Sequence, residues 1–190
     1  MLLEYYPIEA PDILREKAFG YLWKINIPFR IKAFGWKCFW NRVATKDQLS
    51  RRGVDLISDL FCLHCGTVEE SLDHLLGQCC MANSVWRKIA NWVGIDGCVE
   101  NHGWRNFLRW FEFFKRKKIK TGNEGIIWMA VCWSLWISTN IILFEEGICD
   151  INDIVWNIKL QAWKWSFIGD ITYTKYNFYE FYKAPLDYLV

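Results

Sequence analysis

Between Cys62 and Cys79 the chain reads CLHCGTVEESLDHLLGQC. Cys62 and Cys65 form a Cys-x2-Cys turn; eight residues later comes His74, and after four more, Cys79. Zinc takes four thiolate or imidazole ligands in a tetrahedron, and a Cys-x2-Cys turn can bring two sulfurs to one ion. Two further ligands from a short helical turn would close the site, leaving no position for water, which makes such a site structural rather than catalytic. A bend fixed in this way constrains every element on either side of it. Two other readings use the same residues: buried thiols that behave as small apolar groups, or a disulfide. Ligand choice is also open. Cys80 adjoins Cys79 and His64 lies inside the Cys-x2-Cys turn, but adjacent residues do not readily point the same way, so one of Cys79 and Cys80 is a spare.

The N-terminal MLLEYYPIEAPD has no basic leader and no sustained apolar run. The expectation is therefore an intracellular protein, cytoplasmic or nuclear and not secreted, with its 8 cysteines mostly reduced. That favours metal over disulfide. Net charge is only +2, yet Lys24, Arg30, Lys32, Lys37, Arg42, Lys46, Arg51 and Arg52 face a single acid, Asp47, between 24 and 52. Such asymmetry marks a face for an anionic partner. Of these, Arg30, Lys32, Lys37, Arg42, Lys46, Arg51 and Arg52 are the candidate nucleic-acid contacts, because Lys and Arg supply sequence-independent affinity for phosphates. The plainer reading is a solvated helix face.

No segment shows sustained strand alternation, so the chain reads as mainly α: a small helical domain with a zinc-binding loop and additional C-terminal helices. The organisation expected is a lead-in over 1–22, a zinc-binding domain over 23–95 and a helical extension over 96–190 packed on it. Pro7 and Pro11 read as breakers, with a short helix over 13–24. Pro28 opens a helix whose Phe29, Ala33, Trp36, Trp40 and Val43 recur at helical spacing and are expected to face the core. Thr45 and Gln48 form a capping-box pattern, and Gly53 is suited to end the helix that follows. Gly66 relaxes the turn after the second sulfur, and 69–78 should begin a helix carrying His74. Further helices are expected over 81–93 (Val85, Ile89 and Trp92 on one face), over 104–118 (Phe107, Leu108, Phe111 and Phe114 inward, ending in a run of lysine and arginine), and after Asp150 (Ile151, Ile154, Ile158, Ala162 and Trp165 sharing a face). Some helix is expected near 176–182.

Residues 126–144 are nineteen in a row without a charge, the length of a membrane span. Ser134, Ser138, Thr139 and Asn140 would need partners in lipid, and Trp128, Trp133 and Trp136 avoid the two ends where a membrane belt places them. A helix buried in a protein core is the expectation, and a membrane anchor is the reading set against it.

Taken in order, WKINIPFRIKAFGWKCFWNRVATKDQLSRRGV (23–54), CLHCGTVEESLDHLLGQC (62–79) and the Val85–Trp86 pair resemble the reverse-transcriptase zinc-binding domain of plant LINE-type, non-LTR retrotransposons. The likeness covers about residues 20–95, and WSLWISTNIILF (133–144) is similar to a phrase that often follows in that family. The resemblance implies one structural zinc per chain on Cys62, Cys65, His74 and Cys79, with Cys80 standing where the family usually has proline. Three departures are visible: Arg30 for lysine, Ala44 for the proline before Thr45, and Thr139 for the arginine before Asn140. The resemblance also implies a module that follows a reverse-transcriptase catalytic domain, which makes such a domain a partner in trans and RNA or an RNA–DNA hybrid a ligand. The chain contains no paired-aspartate polymerase motif, no carboxylate cluster for two-metal chemistry and no Walker or Gly-x-Gly-x-x-Gly loop. It is expected to be non-catalytic, with no small-molecule substrate. The alternative is a helical protein-interaction or structural domain that binds no nucleic acid.

Overall fold

The computed structural model describes residues 11–54, 59–95, 103–116, 124–168 and 177–185. In chain order its helices are α1 (Pro11–Lys24), α2 (Phe29–Phe39), α3 (Lys46–Arg51), a π-helical turn (His74–Gln78), α4 (Cys80–Val93), α5 (Gly103–Arg116), α6 (Glu124–Glu145), α7 (Ile151–Ser166) and α8 (Phe178–Lys183). Among the described residues the only β pairing is a single antiparallel bridge between Phe61 and Glu69. The mainly α reading is therefore what the chain adopts. The last two residues of the helix expected over 104–118, with the lysines that end it, and the first ten of the expected lead-in lie outside the described residues.

Helix α6 is the centre. It packs against α2, α4, α5, α7 and the π turn. Ile126, Ile127, Trp128, Met129, Ala130, Val131, Cys132 and Leu135 are all essentially buried, so most of the apolar window that also suits a membrane span, 61% of it, lies inside the molecule. Two of its hydroxyls are satisfied locally: Ser138 and Thr139 both donate to the Leu135 carbonyl. The Trp128 indole N–H donates to the Asn106 side-chain oxygen at 2.6 Å, and its ring meets Phe39, Phe107 and Trp86. Aromatic rings of this size bury large apolar areas and prefer such tilted or edge-on contacts. One continuous apolar cluster includes Leu22 of α1, Ile31 of α2, Leu75 of the π turn, Ile89 of α4, Phe107 of α5 and Ile158 of α7.

Several local expectations hold. On α5, Phe107, Leu108, Phe111 and Phe114 are buried, and Trp110, which the periodicity did not single out, joins them. The Asp150 carboxylate accepts from the Asn152 amide and caps α7, whose Ile154, Ile158, Ala162 and Trp165 are buried and Ile151 partly so. Helix α3 ends in a Schellman arrangement, with the Gly53 amide on the Ser50 carbonyl and Val54 on Leu49, Gly53 having φ +73°. Helix α8 is pinned by the Trp92 indole N–H donating to the Tyr182 carbonyl at 2.6 Å.

Others do not. Pro11 opens α1 instead of breaking it, in keeping with a residue whose missing N–H costs nothing at the first helical position. The face of α2 is reversed. Ile31, Phe34, Gly35, Cys38 and Phe39 are buried, whereas Phe29 is 75% exposed, Trp40 43% exposed and Ala33 and Trp36 half-buried; only Val43, beyond the helix, is inside. The helix carries apolar residues on both sides, and periodicity finds a stripe without saying which way it points. The capping box does not form either: the Thr45 hydroxyl donates to the Asp47 carboxylate and makes no bond to the helix amides.

Candidate metal centre

Cys62 follows the Phe61–Glu69 bridge directly. Its amide donates to the Val68 carbonyl, and the Glu70 amide donates to the Leu60 carbonyl, both at 2.8 Å. These bonds close a small hairpin around the Cys-x2-Cys turn. At its tip the Gly66 amide donates to the Cys62 carbonyl with φ +65°, a left-handed conformation that glycine adopts at little cost. The chain then enters a short helical stretch at Leu72, shorter than the helix expected over 69–78. It widens into the π turn, where the Cys79 amide donates to the His74 carbonyl five residues back, at 2.8 Å. This extra residue in the turn sets the angle at which Cys79 leaves the helix that presents His74. The turn is fixed from outside by the Trp86 indole N–H on the Leu76 carbonyl at 2.6 Å.

The ligand-type atoms of Cys62, Cys65, His74 and Cys79 all lie within 4.8 Å of one another. Cys62 Sγ and Cys79 Sγ are 4.0 Å apart, and Cys65 Sγ is 3.3 Å from His74 Nε2. Tetrahedral zinc with bonds of roughly 2.3 Å to sulfur and 2.0 Å to nitrogen separates its ligand atoms by roughly 3.5–3.8 Å. The two separations bracket that range, so the four side chains are close enough to close on one zinc ion with small adjustments. Cys62, His74 and Cys79 are buried and Cys65 is partly so. All seven described cysteines are free thiols.

The electrostatics suit a cation. The side-chain hydrogen bond shared with Cys79 lowers the Cys62 thiol, against the opposing effect of burial. The same bond, with burial, pushes Cys79 up. Burial raises Cys65, but hydrogen bonds from the Thr67 hydroxyl, the Thr67 and Val68 amides and His74 outweigh it and hold the thiol at about 7.

Cys80 begins α4 and is exposed, and the converging group does not include it. Nor does it include His64, which points to α6: its Nε2 lies 3.0 Å from the Ser138 hydroxyl and 3.2 Å from that of Thr139. Burial holds this imidazole below its ordinary value. Thr139, which departs from the resembled pattern, thus contacts the metal loop.

Lys46, expected among the candidate nucleic-acid contacts, is not at the surface. It is 3% exposed; its ammonium donates to the Phe61 carbonyl at 2.7 Å and pairs with Asp59 at 3.5 Å. The Lys46 amide donates to the Glu70 carboxylate and the Asp47 amide to the Glu70 carbonyl, both at 3.2 Å. Glu70 therefore caps α3 from the far side of the hairpin. No spacing in the sequence signals this tie, because Lys46 and Glu70 are 24 positions apart. Arg30, Lys37, Arg42, Arg51 and Arg52 are exposed and Lys32 half-buried, its ammonium on the Trp23 carbonyl at 3.1 Å.

Three thiols and one imidazole, delivered by a hairpin and a helical turn to within 4.8 Å of one another, could hold a metal ion. Residues 4–86, which contain all four side chains, match the family model described as zinc-binding in reverse transcriptase. That description is of a zinc-binding domain and not of a catalytic one. No curated protein and no solved structure matches the chain.

Proposed function

We propose that this chain is a zinc-stabilised, non-catalytic accessory module of retrotransposon reverse-transcriptase origin, of the plant LINE type, that works inside the cell and binds RNA or an RNA–DNA hybrid through its basic side. The observation that carries the reading is the convergence of Cys62, Cys65, His74 and Cys79 within 4.8 Å. When bound, zinc would supply the bonds that fix the hairpin against the π turn, with every coordination position taken by protein. The exposed cations Arg30, Lys37, Arg42, Arg51 and Arg52, with Lys32, support the nucleic-acid part. Such side chains contact phosphates and carry little base readout. A reverse-transcriptase catalytic domain acting in trans is the protein partner that suits such a module.

Gel-shift titration of the purified chain against RNA and an RNA–DNA hybrid tests the reading. Binding at low salt that weakens steeply as salt rises is the expected result. Binding that ignores salt, or no binding at low salt, contradicts it. A second reading, a protein-docking domain, is favoured by Phe144 and Ile148, 76% and 97% exposed beside the end of α6. It predicts no retention of RNA and capture of a protein partner.

A further inference from the structure

We propose that the outer face of α2 is a stacking platform for unpaired bases, so that the ligand of this chain is single-stranded nucleic acid. This rests on the basic-surface reading above and narrows it from RNA or a hybrid duplex to the unpaired strand, since phosphate contacts alone do not distinguish single strands from duplex.

At about 100° per residue, Phe29, Ala33, Trp36 and Trp40 fall along one line of α2, opposite the buried Ile31 and Cys38. Phe29 is 75% exposed. Trp23, from the end of α1 and itself 45% exposed, sets its ring 6.4 Å from that of Phe29 at an interplanar angle of 33°. Two large rings thus stand side by side in solvent at one end of the stripe. At the other end Trp40 is 43% exposed. Cations interleave with the rings: the Arg42 guanidinium lies 5.8 Å from the Trp36 centroid and that of Arg15 5.1 Å from Trp40, while Arg30 and Lys37 flank the stripe and are exposed.

Core packing accounts for only part of this face: Trp36 leans on the core and Trp40 stacks on Phe19 at 5.6 Å, while Phe29 and Trp23 are left to solvent. An apolar partner does not suit it, because the cations around the rings would be desolvated without a counter-charge. The one acid between 24 and 52, Asp47, accepts from the Thr45 hydroxyl and the Gln48 amide. Aromatic faces interleaved with Arg and Lys fit a ligand that alternates flat rings with negative charges, as a single strand does. A duplex hides its base faces inside its own stack and offers them nothing to a side chain.

The test titrates the purified full chain with labelled oligouridylate, oligothymidylate and a base-paired RNA duplex across a salt series, reading fluorescence anisotropy. Both single strands should bind at least about tenfold more tightly than the duplex. Phe29→Ala should weaken single-strand binding about tenfold at unchanged salt slope, Phe29→Tyr should restore it, and Lys37→Ala should shallow the slope by about one. Thermal melting checks that Phe29→Ala, at an exposed position, stays folded. Equal affinity for duplex and single strand, with no effect of Phe29→Ala, overturns the platform and leaves the basic surface standing. No binding of any nucleic acid overturns both. Self-association that Phe29→Ala dissolves would mean a second copy covers the face, and also overturns the platform.

Discussion

Helix α6 and the hairpin over 59–70 meet through His64, yet they are held by different forces. In α6 the residues from Ile126 to Cys132 are sealed from water, and removing water from apolar surface is the main stabilising term in such a core. The hairpin leaves its own apolar residues outside, with Phe61 45% and Val68 48% exposed. What it buries is polar or ligating: Cys62, Glu70 and, from α3, Lys46. A segment with one β bridge and little apolar burial cannot offset the entropy of ordering its backbone by packing alone. The difference teaches that one part of this chain is shaped by solvent exclusion and the other by a few directed bonds, so perturbations should separate them.

The largest separation should come from the ligands. Structural zinc in small peptides binds with an apparent free energy of about 10–16 kcal/mol, which is folding free energy. Cys65→Ala, His74→Ala or a strong chelator should therefore abolish zinc binding and expose the amides of 59–79 to rapid hydrogen exchange. Amides of α6 should stay protected. Uniform exchange across both regions would break the comparison. Next in size, Trp128→Ala should cost about 3–5 kcal/mol, as large-to-small changes in cores do, and lower the denaturation midpoint while leaving one zinc bound.

A smaller effect is expected at the tie between hairpin and α3. Glu70→Ala removes the cap on α3 and should cost about 1–2 kcal/mol. Burial raises the Glu70 carboxyl above its ordinary value, against the opposing hydrogen bond from the Lys46 amide. A carboxyl raised on folding contributes its full share below the unfolded carboxylate range, and that share fades as pH rises through the folded value. Glu70→Gln keeps an acceptor for the Lys46 amide and should flatten that part of the stability–pH curve, measured by urea titration at several pH values. Smallest of all, Cys80→Ala, at an exposed position outside the converging group, should change stability by less than about 0.5 kcal/mol and leave zinc stoichiometry unchanged.

Much of this was legible because ligand spacing and caps are local. Cys-x2-Cys and the His74–Cys79 interval are read within a few turns of chain, and so are Asp150 before α7 and Gly53 after α3. The burial of the first half of α6 was legible because Trp128, Trp133 and Trp136 avoid the two ends of the uncharged run, where a membrane belt would place them. What was not legible is what depends on the third dimension. Whether the stripe of Phe29, Trp36 and Trp40 or that of Ile31, Phe34 and Cys38 faces inward depends on which fits against α1, α5 and α6. The conversion of Lys46 from surface cation to buried anchor depends on Asp59 and the Phe61 carbonyl folding back over it. The π turn adds a residue that no periodicity announces.

The most direct measurement is the metal content of the purified chain by elemental mass spectrometry, combined with thiol counting before and after chelation. One zinc per chain is predicted, with Cys62, Cys65 and Cys79 becoming reactive only once the metal is removed. Protein that folds without metal, or in which these thiols are paired as disulfide, would contradict the claim that directed bonds to a cation shape the hairpin.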